Sequence, residues 1–402
     1  MEIPARREYV KNMRAIVLGA GRMGRAAAWD LGRQPGVEVV CLVDRDRDSL
    51  ADAEHEVARL LSTAAAKDAP ARVEAEPFDL DDSDRLVGLL SGFDVALSSA
   101  DYRFNEALTR AAIEAKVHLC DLGGNIHVVD RQLGLDAAAR RRGVTIVPDC
   151  GLAPGMAGLL AARAVERLDE ARTVRLRVGG LPAHPKPPLG YKLVFSARGL
   201  VNEYLEPTEA LRDGEVVRLD SLTELESLEF PPPFGQLEAF NTSGGASTLP
   251  RTLRARVRDL DYKTVRYPGH CAIFAGLHAL GLLSEESVDG VNPRELTEKL
   301  LVRSLSDDDT DVVLMRVSAE GTLQGEAVRI VYELIDRHDC ETGHSAMARC
   351  TAYAAAAVAY MLGVGAIERR GVLPGELCVP LEEFVGAVRA RGLDLSERWE
   401  TA

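Results

Sequence analysis

The sequence predicts an α/β protein: a Rossmann-type, doubly wound parallel sheet followed by a second, α+β domain. Three observations carry this. Gly19, Gly21 and Gly24 stand at GxGxxG spacing directly behind a short apolar run, residues 15–18. A second apolar run, VEVVCLVDRD, delivers Asp44 20 residues beyond Gly24. Apolar runs then alternate with helix-patterned segments to about residue 150, where the composition changes.

Residues 14–31, RAIVLGAGRMGRAAAWDL, read as strand, tight turn and helix. The first glycine permits the turn, the second lets backbone approach a pyrophosphate, and the third lets helix and strand pack closely. The helix start, with Arg22 and Met23, offers unpaired N–H groups and a positive dipole end to phosphates. Asp44 sits where a carboxylate accepts the ribose hydroxyls. Its charge opposes a 2′-phosphate, so NAD is favoured over NADP, a preference that Arg45 and Arg47 weaken.

The alternation continues in order. Residues 49–66 read as a helix, and the third strand ends near Phe78 and Asp79, beside the adenine. A fourth strand ends at 98–100, directing Ser98 and Ser99 to the cofactor, before a helix over 105–116. A fifth strand over 117–124, a helix over 131–143 and a strand over 144–151 complete the domain. Ligands of such sheets lie at the strands' carboxyl ends. Loops 98–105 (with Tyr102), 121–125 and 149–155 therefore converge on one crevice.

The bulk composition narrows the function classes. A length of 402 residues suits two domains, and the net charge of −14 argues against nucleic acid or an anionic membrane as partner. Only seven of the 48 basic residues are lysine, so arginine is a compositional habit and any one arginine carries little functional weight. Seven cysteines without CxxC or Cys/His spacing argue against a disulfide framework or a structural zinc. A reducing, cytoplasmic location fits. Residues 1–12 read as a charged leader, and TAYAAAAVAYMLGVGA is too short and alanine-rich to span a bilayer.

Past residue 150, a helix opened by Pro154 and Gly155 leads out of the nucleotide domain. The runs TVRLRVGGLP, GYKLVFSA, DVVLMRVSAE and AVRIVYELIDRH alternate like strands between proline-rich loops. Residues 344–363 form an alanine-rich helix and 380–395 an amphipathic one. The expected organisation is 13–150 for the NAD-binding domain, 151–340 for the catalytic domain, and 341–402 for a helical segment returning to the first.

The stretches GLAPGM, GGLPAHPKPPLGYKLVFSARGLVNEYLEP, FNTSGGASTLPRTL and RYPGH carry a resemblance. From residue 13 to about 397 the chain resembles the saccharopine dehydrogenase-like group, most closely its lysine 6-dehydrogenase branch. The resemblance implies a Rossmann domain, a catalytic domain that also makes dimer contacts, and a homo-oligomer. It also implies NAD-dependent oxidation of the L-lysine ε-amine to 2-aminoadipate 6-semialdehyde, which cyclises, plus ammonia. Reductases of the group hold a substrate carboxylate with an SPRG motif. Here Ala197 replaces the proline and Arg198 is retained.

Hydride leaves an amine-bearing carbon only when the nitrogen is neutral. A lysine pKa of about 10.4 lies roughly 3.4 units above pH 7, about 4.6 kcal/mol against the reactive form. Asp121 and His270 are the candidate proton acceptors. Asp121 matches an acidic position of the resembling reductases and reads equally well as a turn cap. His270 either caps a helix or projects into the cleft. Arg198 is the expected carboxylate clamp, supported by Tyr191 and Lys186 in the KPPLGYK loop, by Tyr102, and by Asn241, Thr242 and Ser243. An imine reductase of the saccharopine type and a silent NAD sensor are the alternatives.

Overall fold

A computed structural model describes residues 12–63, 70–305 and 310–401. All of the leader but residue 12, and the end of the helix expected at 49–66, lie outside them. The chain divides into two compact units, Met1–Met156 with Ala348–Arg391 and Ala157–Met347 with Gly392–Ala402.

The first unit is built on six parallel strands, β1 (Met13–Leu18), β2 (Val37–Asp44), β3 (Arg72–Pro77), β4 (Val95–Ser98), β5 (His118–Asp121) and β6 (Thr145–Val147). Their order is β6-β5-β4-β1-β2-β3, so the chain reverses direction across the sheet between β1 and β4. The strands read as continuous apolar runs because helices cover both faces. Ile16, Leu18, Val43, Ala96, Leu119 and Ile146 form their shared core. The helix Arg22–Gly32 buries an Ala26–Ala27–Ala28 face, small enough to lie close against the sheet. The helix expected over 131–143 is two short ones, Ile126–Leu133 and Asp136–Arg142, parted at Gly134 and Leu135.

The second unit holds a nine-stranded sheet built first from β7 (Glu170–Pro182), β8 (Thr208–Arg212), β9 (Glu215–Leu219), β10 (Glu226–Phe230), β11 (Gly235–Asn241), β12 (Val257–Arg266), β13 (Asp311–Leu323) and β14 (Glu326–Arg337). All its pairings are antiparallel except β7 with β12. GYKLVFSA, expected as a strand, is irregular coil. Tyr191 and Val194 turn inward as anchors beside Leu200, Tyr204 and Phe240, and three-residue spacing of anchors cannot sit on one face of a strand.

The chain's end is shared between the units. Most of the helix Ala346–Gly363 and all of the helix Leu381–Ala390 belong to the first, whose sheet gains β15 (Gly371–Val372) beside β6. After Gly392, at φ +76°, β16 (Leu395–Thr401) pairs with β14 of the second unit. The segment 341–402 is therefore neither wholly helical nor wholly part of the first unit. No described helix is long and apolar enough to cross a membrane.

Candidate functional site

The glycine turn of the first unit is held by both backbone and side-chain hydrogen bonds. The Gly19 N–H donates to Val43 O at 2.7 Å, and the Ser99 hydroxyl donates to Gly19 O at 2.9 Å. Gly19 lies at φ +101°, a conformation that favours glycine. A Cβ on Gly24 would stand 1.8 Å from Gly19 O, so only glycine fits there. Around Gly21 a Cβ would meet nothing within 4 Å, which leaves the helix start open for a ligand. Asp44 accepts from the Ala20 N–H at 2.9 Å and from Asp46 N–H at 3.1 Å, joining the end of β2 to the turn. Arg22 is exposed, Met23 half-buried, and Asp79 exposed beyond β3. These features fit a dinucleotide: an open helix start, a turn whose Gly19 and Gly21 carry no side chain, and a carboxylate beside it.

The three loops expected to converge do meet, and Asp121 is what joins them. Its carboxylate is fully buried and accepts from Gly123 N–H at 2.8 Å, Asp149 N–H at 3.1 Å and Gln132 Nε2 at 2.8 Å. Leu122 N–H donates to Ser98 O, and a Cβ on Gly124 would lie 3.2 Å from the Tyr102 ring. Burial raises the Asp121 pKa, and these three donors oppose the rise. With its oxygens occupied and no exposure, Asp121 positions loops. Ser98 is likewise buried, donating to Asn105 Oδ1 at 2.9 Å.

In the second unit, His270 opens the helix His270–Ala279 and is 1% exposed. One ring nitrogen shares a hydrogen bond with the Tyr204 hydroxyl at 2.9 Å, and the other meets Leu189 O at 3.0 Å. Burial first, then the nearby Arg266 charge, pushes its pKa down to about 3. Both ring nitrogens of His270 are thus engaged within the cluster. It stacks on Phe274 at 4.7 Å and meets the Tyr191 ring edge-on at 5.2 Å.

Arg266, at the end of β12, is the guanidinium at the centre of this cluster. It donates to the Tyr204 hydroxyl at 3.0 Å, and its charge lies 4.8 Å from the centre of the Tyr191 ring. Burial disfavours that charge, but Tyr204, Tyr191 and Glu203 more than offset it, holding the pKa above its usual value. Glu203 is half-buried as a residue, yet burial of its carboxyl end pushes its pKa up to about 7 against the pull of Arg266. Burial also pushes Tyr191 up to about 12.

The remaining expected residues scatter. Arg198 is exposed near the start of the helix Ala197–Leu205, lining a groove with Glu295, Glu298 and Lys299. Ser196 caps that helix through the Gly199 N–H at 3.0 Å. The guanidinium joined to His270, through the Tyr204 hydroxyl, is that of Arg266 and not of Arg198. Lys186 is exposed. Asn241 binds Thr223 at 3.1 Å, Thr242 pairs with Thr264 at 2.7 Å, and Ser243 N–H donates to Glu203 O at 3.0 Å, so the FNTSGG loop braces the cluster. Sequence reasoning missed Arg266 and Glu203. Arg266 is the first residue of RYPGH itself, where the chain's many arginines gave it no prominence, and Glu203 follows SARG in the helix without a motif of its own. Among the described residues, no group of His, Cys, Asp and Glu is arranged to hold a metal.

Residues 15–147 match the family model described as the saccharopine dehydrogenase NADP binding domain, and residues 151–393 that of the saccharopine dehydrogenase C-terminal domain. A Pyricularia oryzae saccharopine dehydrogenase (NADP(+), L-glutamate-forming) is 27% identical over 60% of this chain and 55% of its own length. An Arabidopsis thaliana alpha-aminoadipic semialdehyde synthase is 25% identical over 77% of this chain and 30% of its own. The chain thus matches only about half, or less, of the length of these relatives. The apo saccharopine dehydrogenase (L-Glu forming) of Saccharomyces cerevisiae shares the fold, with a TM-score of 0.75 at 17% identity over 97% of this chain and 100% of that one.

Proposed function

The chain belongs to the saccharopine dehydrogenase family, and on that premise we propose that it is an NAD-dependent dehydrogenase of the L-lysine ε-amine. The products are 2-aminoadipate 6-semialdehyde, which cyclises, and ammonia. The observation that carries an amino-acid substrate is the buried Arg266 in its aromatic cluster, a cation without a carboxylate bonded to it among the described residues. Asp44, beside the glycine turn, supports NAD. The relatives named for NADP(+) stand on the other side of that point, and parallel assays with the two coenzymes decide it.

The coenzyme, when bound, supplies the hydride acceptor. Gly19, Gly21, Gly24 and the N–H groups after them would hold its phosphates, and Asp44 its ribose. Asp121 fixes the loops at the ends of β4, β5 and β6, where Ser98, Ser99 and Tyr102 stand. His270 keeps Tyr204 aligned on Arg266. Neither Asp121 nor His270 accepts the ammonium proton, so the neutral amine is drawn from solution and turnover rises with pH toward the lysine pKa. NADH formation from L-lysine between pH 7 and 10 is the expected result, and its absence at saturating NAD overturns the reading.

The second reading, a saccharopine reductase, is favoured by the glutamate-forming relatives. NAD(P)H oxidation that requires semialdehyde and glutamate, and fails with ammonia in place of glutamate, is its mark.

A further inference from the structure

Four arginines among the described residues are buried, and three of them hold a carboxylate. Arg163 reaches Glu397 at 2.9 Å, Arg177 reaches Asp261 at 2.7 Å, and Arg391 reaches Asp30 at 2.7 Å. Arg266, 2% exposed, has no ion pair among the described residues. Its Nε serves Tyr204, its Nη1 serves Val265 O at 2.9 Å, and its Nη2 has no hydrogen-bond partner there. The carboxyl that acts most on its charge is Glu203, which forms no ion pair within 4 Å and makes no side-chain hydrogen bond among the described residues. The Tyr191 hydroxyl, in the same cluster, is buried without a partner.

A buried guanidinium with no carboxylate bonded to it, in a cluster that also buries an idle hydroxyl, is costly unless something completes it. An α-amino acid head group has the complementary pattern: a planar carboxylate that a guanidinium binds bidentately, and an ammonium one carbon away that a carboxylate accepts. We propose that Arg266 and Glu203 are the two poles of a recess for the α-carboxylate and α-ammonium of an amino acid, with the Tyr191 hydroxyl as a third contact. The recess rests on the functional reading in taking an amino acid as substrate, but it is tested by binding alone. It assigns substrate recognition to residues of the second unit and removes it from Arg198.

Isothermal titration of the full chain tests this with three unreactive probes that share an alkyl chain. L-norleucine carries both groups, hexanoate lacks the ammonium, and pentylamine lacks the carboxylate. Norleucine binds at least tenfold tighter than either of the others. Glu203→Gln, nearly isosteric and uncharged, lowers norleucine affinity to that of hexanoate and leaves hexanoate unchanged. The recess is overturned if norleucine fails to bind, if it binds no tighter than hexanoate, or if Glu203→Gln weakens both equally. Should that variant not fold, the comparison of probes on the unaltered chain still decides. Assaying NADH formation from lysine on the same preparation separates the two claims. Norleucine selectivity without lysine turnover overturns the reaction and supports the recess, whereas turnover without selectivity overturns the recess alone.

Discussion

Arg177 and Arg266 lie on paired strands of one sheet and are about equally buried, yet their surroundings are opposite. Arg177, on β7, sits in a closed network: it holds Asp261 and Glu226, which are shared with Arg212 at 3.2 Å and Lys263 at 3.0 Å. Burial works against its charge, but the two carboxylates hold its pKa above the usual value. Arg266, on β12, donates to phenol and carbonyl oxygens only, among the described residues. Where the fold needs a buried cation for itself it supplies the anion. Where the anion is missing, a ligand is the physical reason to keep the charge.

Substituting each arginine breaks this comparison most sharply. Arg266→Met is expected to lower kcat/KM for lysine by roughly a thousandfold, the scale of removing a desolvated, charge-assisted hydrogen bond to the substrate, while leaving the thermal midpoint near its starting value. Arg177→Met is expected to do the reverse: about 3–5 kcal/mol of stability lost with Glu226 and Asp261 stranded, and KM little changed. Calorimetric melts and initial rates on both variants read the two effects, and equal melting losses would erase the distinction.

The next largest effect is that of His270. Its pKa is depressed to about 3, so its stability contribution is present above the unfolded value near 6.5 and is lost as pH falls through that window toward 3. Replacement by Gln, which cannot titrate, is expected to reduce acid destabilisation by a few kcal/mol, about the scale of several pKa units. Urea midpoints between pH 3 and 7 measure it.

Glu203 has the opposite sign. Its carboxyl, raised to about 7, acts electrostatically on Arg266, Tyr191, Tyr204 and Tyr262. The stability it contributes is present below its unfolded value near 4.5 and is lost as pH rises through 7. Above pH 7 the ionised form is available to an ammonium, so kcat/KM should fall on the acid side with an apparent pKa near 7. Glu203→Gln should remove that limb and cost roughly tenfold. The smallest change expected is at Asp44: Ser in its place should move coenzyme preference toward NADP by about tenfold, since a repulsive charge near a 2′-phosphate is removed.

How much of this the sequence discloses depends on whether a function is local. The dinucleotide turn is local: Gly19, Gly24 and Asp44 are read from spacing because β-turn-α geometry fixes their distances. The parallel sheet follows from the same periodicity. The Arg266 cluster assembles Tyr191 from coil, Glu203 and Tyr204 from a helix, and Arg266 and His270 from the end of a strand and the helix after it, and no spacing rule joins them. His270, Tyr191 and the FNTSGG loop are singled out by motif, but the roles differ because hydrogen bonds and burial decide them. Arg198 misleads for the same reason: sequence puts it in SARG, while only the helix direction shows that its side chain is exposed. Irregular GYKLVFSA reads as a strand because Tyr191, Leu193 and Phe195 alternate in the sequence, whereas the residues its coil buries are Tyr191 and Val194.

The most direct test compares two substrates with one reacting amine. L-lysine and 1,5-diaminopentane present the same primary amine on the same carbon chain, and only lysine has a carboxylate for Arg266. NADH formation at pH 9 with saturating NAD is expected to give lysine a kcat/KM at least a hundredfold higher. No oxidation of lysine, or equal oxidation of both, would contradict the account.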